Sequence, residues 1–360
     1  MSNSEYMARA IQLAEKPVFS PHPNPRVGCV IVNNDHIVGE GFHEFAGGPH
    51  AEVNALAQAG DSANGATAYV SLEPCCFHGR TPACVDALVK AKVKKVFIAM
   101  LDPNPRVAGE GVSLLEQAGI DVESGMLAEE AKALNKGFIR RMTKGRPWVR
   151  CKIAMSLDGR TAMANGESQW ISGKAARQDV QRYRATSDAI LTGVGTVLAD
   201  NPRMTVRGID AVNSKSRQPL RVIVDSQLRA KPELDIFHEP GDVLVATLSD
   251  QKGSYKENIN VEKFSKSVSG IDLSALLEYL ATQEINEVQV EAGAKLNGAL
   301  LREGLIDELV IYMANSIMGD SARGLFSLPR LTSMENKIEL NCLDLRKVGE
   351  DFRFTLQPVY

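Results

Sequence analysis

One histidine and a group of cysteines have the types and spacing of a metal site with a proton carrier beside it. His50 is followed two residues later by Glu52, and Cys75, Cys76 and Cys84 come downstream. One imidazole and two thiolates hold Zn²⁺ with its fourth tetrahedral position open to water, which the metal acidifies. A glutamate at this offset is the expected general acid and base of a zinc deaminase that acts on a nucleobase-like ring. The first half of the chain is therefore predicted to be a deaminase.

Helix starts are predicted to carry these side chains. Apolar residues at helical spacing follow His50 as far as Ala59, and a second helical pattern begins at Cys84. The other predicted elements of this half are a helix over residues 5–15, a β-hairpin over 27–41, strands at 67–72 and 95–100, and a helix near 112–118. The positive end of a helix dipole stabilises a nearby thiolate. We expect a sheet covered by helices, with the metal held between two facing helix starts.

A charged, helix-breaking stretch near residues 143–147 predicts a boundary between two domains, 1–145 and 146–360. Strands and helices alternate again after it. Two glycine turns, which start at Gly193 and Gly293, each follow an apolar strand and open a helix. Free backbone N–H groups and the helix dipole favour a pyrophosphate there, although the first turn lacks the third glycine of G-x-G-x-x-G. Together the turns predict a dinucleotide site that is not an ordinary Rossmann one, and tight structural turns are the alternative.

The composition is that of an ordinary globular protein, with 44% apolar and 24% charged residues among 360. A formal net charge of −3 argues against a nucleic-acid partner, while a local pocket for one phosphate remains compatible with it. No apolar run is long enough to cross a bilayer and the N-terminus does not resemble a signal peptide, so we expect a cytoplasmic protein with no membrane partner. Cys29, Cys151 and Cys342 are predicted to be small buried side chains.

Motifs in both halves resemble the bifunctional riboflavin-biosynthesis deaminase-reductase family. The first half carries PNPRVGCVIV, GGPHAEVNAL and SLEPCCFHGRTPAC, and the second carries KIAMSLDGRTA, SQWISG, DAILTGVGTVLADNPRMTVR and VEAGAKLNGALLREGLIDEL. The resemblance implies an α/β chain with an N-terminal cytidine-deaminase-like zinc domain and a C-terminal dihydrofolate-reductase-like domain. It also implies Zn²⁺ and NADPH as cofactors, a phosphorylated pyrimidine as substrate, and a homo-oligomer formed through the reductase domain.

The implied activity has two steps. Zinc hydroxide deaminates 2,5-diamino-6-(5-phosphoribosylamino)pyrimidin-4-one to the uracil, and NADPH then reduces the ribosyl group to the ribityl side chain. By the same resemblance, His50, Cys75 and Cys84 are the metal ligands and Glu52 is the proton carrier, while Cys76 lies outside the ligand set.

The resemblance also assigns residues to the second site. The expected cofactor contacts are Ala154, Trp170, Thr196, Asp200, Ser226, Gly293, Ala294, Lys295, Leu296, Asn297 and Gly298. The expected substrate contacts are Ser168, Arg184, Met204, Arg207 and Glu291. Arg184 and Arg207 have the chemistry to clamp a substrate phosphate in bidentate fashion, and Trp170 can wall off the nicotinamide from water. The remaining candidates are Lys152 and Asp200 near the sugar, and Asn24, Arg26, His43 and Arg80 near the pyrimidine or its phosphate.

Other interpretations stay open on the sequence. Cys76 or His78 could close the metal site as a fourth ligand, which would make the site structural. Arg184 could be a solvated residue of a charged helix, and Trp170 could belong to a core. A cytidine or transfer-RNA adenosine deaminase fused to an unrelated domain is the second enzymatic hypothesis. A zinc-stabilised nucleotide sensor without turnover is the non-enzymatic one.

Overall fold

The computed structural model describes residues 1–16, 21–77, 82–105, 107–209, 218–251, 253–268 and 270–360. The chain forms two compact units, Met1–Gly145 and Arg146–Tyr360. The last helix of the first unit stops at Gly145, whose φ of 66° is a conformation that glycine adopts without strain. Within the described ranges, no helix is long and apolar enough to cross a membrane.

The first unit is a five-stranded sheet with helices on both faces. Its elements are α1 (Asn3–Ala14), β1 (Gly28–Asn33), β2 (His36–Phe42), α2 (Ala51–Ala59), β3 (Thr67–Val70), α3 (Cys84–Lys90), β4 (Lys95–Ile98), α4 (Glu110–Gln117), β5 (Asp121–Ser124), α5 (Ala128–Leu134) and α6 (Lys136–Lys144). The strand order is β2-β1-β3-β4-β5, with β1 antiparallel to both of its neighbours and the other pairs parallel. Successive residues of β1 face opposite sides, since Ile31 packs with α2 and α3 while Val30 packs with α1.

Glycines in β2 let α2 approach the sheet closely enough to fix its first turn. A side chain on Gly39 would meet the carbonyl oxygen of Ala55 at 2.1 Å, and one on Gly41 would meet that of Ala51 at 2.2 Å. Because real Cβ atoms do not come this close to backbone atoms, glycine is required at both positions. The side chain of Asn54 also donates to the Phe42 carbonyl at 2.9 Å. These contacts hold the N-terminus of α2 against the sheet.

The second unit is built on a nine-stranded sheet. Its elements are β6 (Trp148–Ser156), β7 (Arg160–Ala162), α7 (Lys174–Thr186), β8 (Ala189–Gly193), α8 (Val194–Asp200), β9 (Leu220–Val224), β10 (Val243–Thr247), β11 (Ile259–Lys263), β12 (Lys266–Ser267), β13 (Gly270–Ile271), α9 (Leu273–Thr282), β14 (Glu287–Val290), α10 (Ala294–Arg302), β15 (Glu308–Ala314), β16 (Arg323–Gly324), β17 (Glu339–Val348) and β18 (Asp351–Val359). The order of the large sheet is β11-β10-β9-β8-β14-β6-β15-β18-β17.

Seven neighbouring strands of this sheet, from β11 to β15, are parallel, and β18 and β17 add an antiparallel hairpin. Both faces are buried, as β8 shows: Leu191 packs into the core that contains α9 and α10, and Ile190 packs into the core on the opposite face. Because the parallel strands all end at one edge, the loops that follow them are brought together there.

Most elements predicted from periodicity are present, and their ends differ by a few residues. The predicted hairpin at 27–41 corresponds to β1 and β2, for example. No pattern predicts β17, because this outer strand is exposed along almost its whole length and shows no alternation. Cys29 and Cys151 are buried as expected. The same expectation is wrong for Cys342, which is exposed because it lies on β17.

Candidate active sites

In the first unit, His50, Cys75 and Cys84 bring one ligand atom each to a common point. His50 is the N-cap residue of α2, and Cys84 is the first residue of α3. Nδ1 of His50 lies 3.2 Å from Sγ of Cys84 and 3.5 Å from Sγ of Cys75. All three ligand atoms lie within 4.8 Å of one another. The two helix starts therefore lie where the sequence predicts them, with potential metal ligands between them.

The donor set of this cluster fits Zn²⁺. Zinc bonds of about 2.3 Å to sulfur and about 2.0 Å to nitrogen place the ligand atoms of a tetrahedral site about 3.5 Å apart. The distances from His50 to the two cysteines are close to this value. Cys76 is not part of the cluster that the described residues form, and His78 lies outside those residues. Three protein donors leave one position of a tetrahedral ion open, as in catalytic zinc sites.

The two cysteines of the cluster differ in acidity. Hydrogen bonds with the Cys84 thiol and the His50 ring lower the pKa of Cys75 to about 4, although burial acts in the opposite direction. The hydrogen bond to Cys75, together with burial, raises the pKa of Cys84. The backbone N–H of Cys84 also donates to Sγ of Cys75, at 3.4 Å. One thiolate therefore forms readily, which is the protonation state that a metal ligand needs.

Glu52 lies in the first turn of α2 and is 3% exposed. Burial, followed by the negative charge of Cys75, raises the pKa of its carboxyl group to about 7. The Glu52 carboxyl group also forms a hydrogen bond with the Cys84 thiol, which places it directly beside the cluster. A carboxyl group with a pKa near neutrality can both accept and donate a proton at neutral pH, because neither step costs much free energy.

His43 and Asn24 form a fixed polar pair beside the cluster, since the His43 ring lies 5.1 Å, edge to face, from the His50 ring. Nδ1 of His43 lies 3.1 Å from the Pro49 carbonyl oxygen, which only accepts, so Nδ1 carries the proton. Nε2 then accepts from the Asn24 amide at 3.0 Å. Burial lowers the pKa of His43, which favours this neutral ring. Of the other expected contacts, Arg26 is partly exposed and Arg80 lies outside the described residues.

Sequence reasoning missed a buried carboxyl group beside the cysteine loop. Asp102 follows β4 and is 8% exposed, and burial raises its pKa to about 6. The backbone N–H groups of Asp102 and Gly109 both donate to the Glu73 carboxylate, which lies two residues before Cys75. The signal that could have found this loop is a repeat, because PNPRV occurs at residues 23–27 and again at 103–107, directly after Asp102.

In the second unit, the expected cofactor contacts lie mostly at the carboxyl ends of neighbouring strands. Ala154 is near the end of β6, Thr196 is in the first turn of α8, Ser226 follows β9, and residues 291–298 follow β14. These strands are adjacent in the order β9-β8-β14-β6. A methyl group on Gly293 would lie 3.9 Å from Oγ1 of Thr196, so the two glycine turns face each other.

The two turns fit a cofactor that contains a pyrophosphate. Gly193 and Gly293 are the N-cap residues of α8 and α10, and neither helix has a side-chain cap. The first N–H groups of both helices therefore remain available at the carboxyl edge of the sheet. Oδ1 of Asn297 is buried and has no hydrogen-bond partner among the residues that the structure describes. A side chain on Gly298 would meet the Ser327 carbonyl oxygen at 2.3 Å, so this glycine serves the packing of α10.

Two of the expected substrate contacts form a buried ion pair with each other. Nε and Nη2 of Arg184 lie 2.6 and 2.8 Å from the two carboxylate oxygens of Glu291, and the side chains are 10% and 11% exposed. Nη1 of Arg184 donates to the Thr205 carbonyl at 2.9 Å, and Nη2 lies 3.8 Å from Sδ of Met204. In this structure Glu291 occupies the guanidinium fork of Arg184, and the bidentate clamp on a substrate phosphate stays a prediction. The alternative that Arg184 is solvated is wrong, because its side chain is only 10% exposed.

Glu291 balances more than one positive charge. Burial acts against ionisation, but the charge and hydrogen bonds of Arg184, with the charge of Lys152, lower the pKa of Glu291 to about 2. Burial lowers the pKa of Lys152, while the Glu291 carboxylate acts in the opposite direction. The Gln289 amide donates to Glu291 at 2.8 Å. One carboxylate therefore stabilises two cations at the end of β14.

Four other expected contacts lie on parts of the second unit that do not carry this ion pair. Ser168 and Trp170 lie in the loop between β7 and α7, Asp200 is the last residue of α8, and Arg207 is exposed. Across the described part of the chain, none of these four residues forms a hydrogen bond with Arg184 or Glu291. Trp170 is 71% exposed, so the alternative that it belongs to a core is wrong.

Family models match both units. Residues 1–100 match the cytidine and deoxycytidylate deaminase zinc-binding region, and residues 147–354 match the RibD C-terminal domain. The riboflavin biosynthesis protein RibD of Escherichia coli is 48% identical over 359 residues, which cover 98% of each chain. The protein of the same name from Haemophilus influenzae is 47% identical over 365 residues, which cover 98% of this chain and 96% of that one.

Solved structures agree with these matches. RibD of Acinetobacter baumannii has a TM-score of 0.92 and 46% identity, and the comparison covers 99% of both chains. A diaminohydroxyphosphoribosylaminopyrimidine deaminase/5-amino-6-(5-phosphoribosylamino)uracil reductase from Thermotoga maritima has a TM-score of 0.87 and 35% identity, over 99% of this chain and 98% of that one. These full-length matches exclude a deaminase fused to an unrelated domain and a sensor without turnover. The chain belongs to the RibD family of bifunctional riboflavin-biosynthesis enzymes, with a zinc-dependent, cytidine-deaminase-like domain followed by an NADPH-dependent, dihydrofolate-reductase-like domain.

Proposed function

We propose that the first unit deaminates 2,5-diamino-6-(5-phosphoribosylamino)pyrimidin-4-one and that the second reduces the ribosyl group of the product. The observation that carries the proposal is the cluster of His50, Cys75 and Cys84 with the buried Glu52 beside it. The Thermotoga maritima relative is named for both activities, and it is similar to this chain over both units.

In the first unit, the chain's own residues hold the metal and move the proton. Bound Zn²⁺ supplies a polarised water molecule of lowered pKa. Glu52 accepts a proton from the water molecule whose oxygen bonds to the ring carbon, and passes it to the amino group, which leaves that carbon as ammonia. The hydrogen bond from Asn24 to His43 fixes the Asn24 amide, and its oxygen is then oriented to accept from the substrate ring.

In the second unit, the strand ends bind and orient the cofactor and the sugar. Bound NADPH supplies the hydride. The turns at Gly193 and Gly293 hold its pyrophosphate through backbone N–H groups, and Trp170 covers the nicotinamide. Lys152 is the proposed proton donor to the sugar, because burial lowers the pKa of its ammonium group beside Glu291.

Cys84→Ser is expected to lose the metal, whereas Cys76→Ser is expected to keep it. Removing a thiolate that binds the metal directly should weaken zinc binding by more than about 100-fold, since even a residue that only hydrogen-bonds to a ligand contributes about 10–100-fold. The measurement is the zinc content per chain of the purified variants by atomic emission, with the wild-type protein as reference. Equal loss of zinc from both variants would show that Cys76 is a fourth ligand and that the site is structural.

We also propose that the second unit forms a homo-oligomer through the hairpin of β17 and β18. β17 is the edge of the large sheet and exposes Leu340, Leu343 and Leu345, each more than 40% accessible. Long exposed edge strands with apolar side chains pair readily with another chain. A double change of Leu343 and Leu345 to Asp should convert the oligomer to a monomer in light scattering, while Val268→Asp, at an exposed turn, should not. A wild-type monomer at the same concentration would contradict the proposal.

A cytoplasmic location fits the proposed metal binding by cysteine thiols in the first unit. All six cysteines are free of disulfide bonds, and the ligand thiols must stay reduced to bind a metal. The reducing cytoplasm supplies that condition.

A further inference from the structure

Trp170 is held in place from one side of its ring, although it lies in a loop and is 71% exposed. The loop joins β7 to α7 and also carries Ser168. A side chain that is this exposed gains little orientation from packing. If it is to cover a cofactor, something outside the core must fix its ring.

The guanidinium group of Arg177 supplies that contact. It lies over the Trp170 ring, 4.6 Å from the ring centroid, in the geometry of a cation–π interaction. Nη1 of Arg177 also donates to the carbonyl oxygen of Ser172, at 2.5 Å. One side chain therefore binds both the ring of Trp170 and the backbone two residues further along the loop. The planar fork of arginine can stack and donate at the same time, which a lysine cannot do in this way.

Arg177 projects from a helix that is itself firmly attached to the sheet. One carboxylate oxygen of Asp179 accepts from Arg353 of β18 and from the Tyr312 hydroxyl of β15, both at 2.7 Å. At the start of the helix, the backbone N–H of Gly173 donates to Asp351 at 2.7 Å. α7 is thus held against β15 and β18. Because Arg177 belongs to this fixed helix, its contacts also fix the loop between β7 and α7.

We propose that Arg177 is a positioning residue of the reductase site, which holds the indole of Trp170 in the orientation that covers the bound cofactor. The inference rests on the proposed contact between Trp170 and NADPH. Arg177 acts through Trp170 and the Ser172 carbonyl, not on the reacting atoms. It should therefore control cofactor affinity and leave the rate of the saturated enzyme nearly unchanged.

The test uses fluorescence, because the chain has two tryptophans, Trp148 and Trp170. In the full-length Trp148→Phe variant, emission comes from Trp170 alone, and bound NADPH should quench it by energy transfer. Adding Arg177→Ala should raise the NADPH dissociation constant by roughly threefold to thirtyfold, the range expected for a cation–π contact and a charged hydrogen bond. Arg177→Lys should lie between the two. The matched control is Arg182→Ala, an exposed arginine of the same helix.

Steady-state kinetics complete the test. The KM for NADPH should rise with the dissociation constant in Arg177→Ala, while kcat at saturating NADPH stays within about twofold and thermal melting is unchanged. Equal NADPH affinity in Trp148→Phe with and without Arg177→Ala overturns the inference and leaves the proposed function intact. Absence of saturable quenching in Trp148→Phe itself shows that Trp170 does not meet the cofactor, which overturns the proposed contact and the inference together.

Discussion

Glu52→Gln should reduce ammonia release from the diaminopyrimidine by about 10²–10⁴-fold, the usual contribution of a positioned proton carrier. The amide has nearly the shape of the carboxyl group but neither takes up nor delivers a proton at neutral pH. Because the ligand atoms come from other residues, the zinc content of the variant should equal that of the wild-type protein. The measurement is the rate of ammonia release at saturating substrate, with zinc determined on the same sample.

The second activity supplies the internal control for this variant. Glu52→Gln should oxidise NADPH at the wild-type rate when it is given the deaminated intermediate, because Glu52 belongs to the first unit and the reductase residues belong to the second. Glu130→Gln, at an exposed position of α5, is the matched substitution that should change neither rate. Loss of both activities in a folded Glu52→Gln protein would contradict the assignment of two sites.

Glu291→Gln should destabilise the second unit by about 3–5 kcal/mol, the usual effect of removing one member of a buried ion pair. Arg184 would keep its charge with no carboxylate beside it, and Lys152 would lose the carboxylate that favours its charged form. The measurement is urea unfolding followed by tryptophan emission, which reports on this unit alone because both tryptophans lie in it. We expect the midpoint of that transition to fall clearly below the wild-type value at pH 7.

A double variant of Arg184 and Glu291 shows whether the loss of stability comes from an unbalanced buried charge or from the lost contact itself. Arg184→Met combined with Glu291→Gln removes both charges and should be more stable than Glu291→Gln alone, as replaced buried pairs generally are.

The contribution of Glu291 to the stability of the second unit should decrease at low pH. A folded pKa of about 2 for Glu291 means that its contribution is complete above the pKa of the unfolded chain and is lost as the pH falls towards 2. Wild-type stability in Glu291→Gln at pH 7 would show that the pair contributes nothing.

The metal cluster is the part of the site that local sequence patterns describe well. His50 and Cys84 lie at helix starts because the apolar spacing that follows each of them is a local property of the chain. Small residues let α2 pack closely on β2, with Gly39 and Gly41 against Ala51 and Ala55. This close contact cannot be predicted from either segment alone, because it exists only in the packed structure. Local pattern therefore predicts which residues carry chemistry, and tertiary packing determines how they are held.

The charges of the second site show where sequence reasoning fails. Arg184 lies in a polar helical stretch, which is typical of a solvated face, yet β14 brings Glu291 to it from 107 residues away. Asp102 is similar, since burial raises its pKa and the negative charge of Glu73, brought close from another segment, acts in the same direction. Such pairings depend on the order of strands in the sheet. No spacing within one segment encodes them.

If two separate sites act in order on one substrate, a single reaction shows that order most directly. The diaminopyrimidine phosphate is mixed with the wild-type protein, and ammonia release and NADPH oxidation are recorded together, with a parallel reaction that omits NADPH. We predict that ammonia is released at the same initial rate with or without NADPH, and that NADPH oxidation never exceeds the ammonia already formed. Oxidation of NADPH ahead of ammonia release, or ammonia release that requires NADPH, would contradict that order.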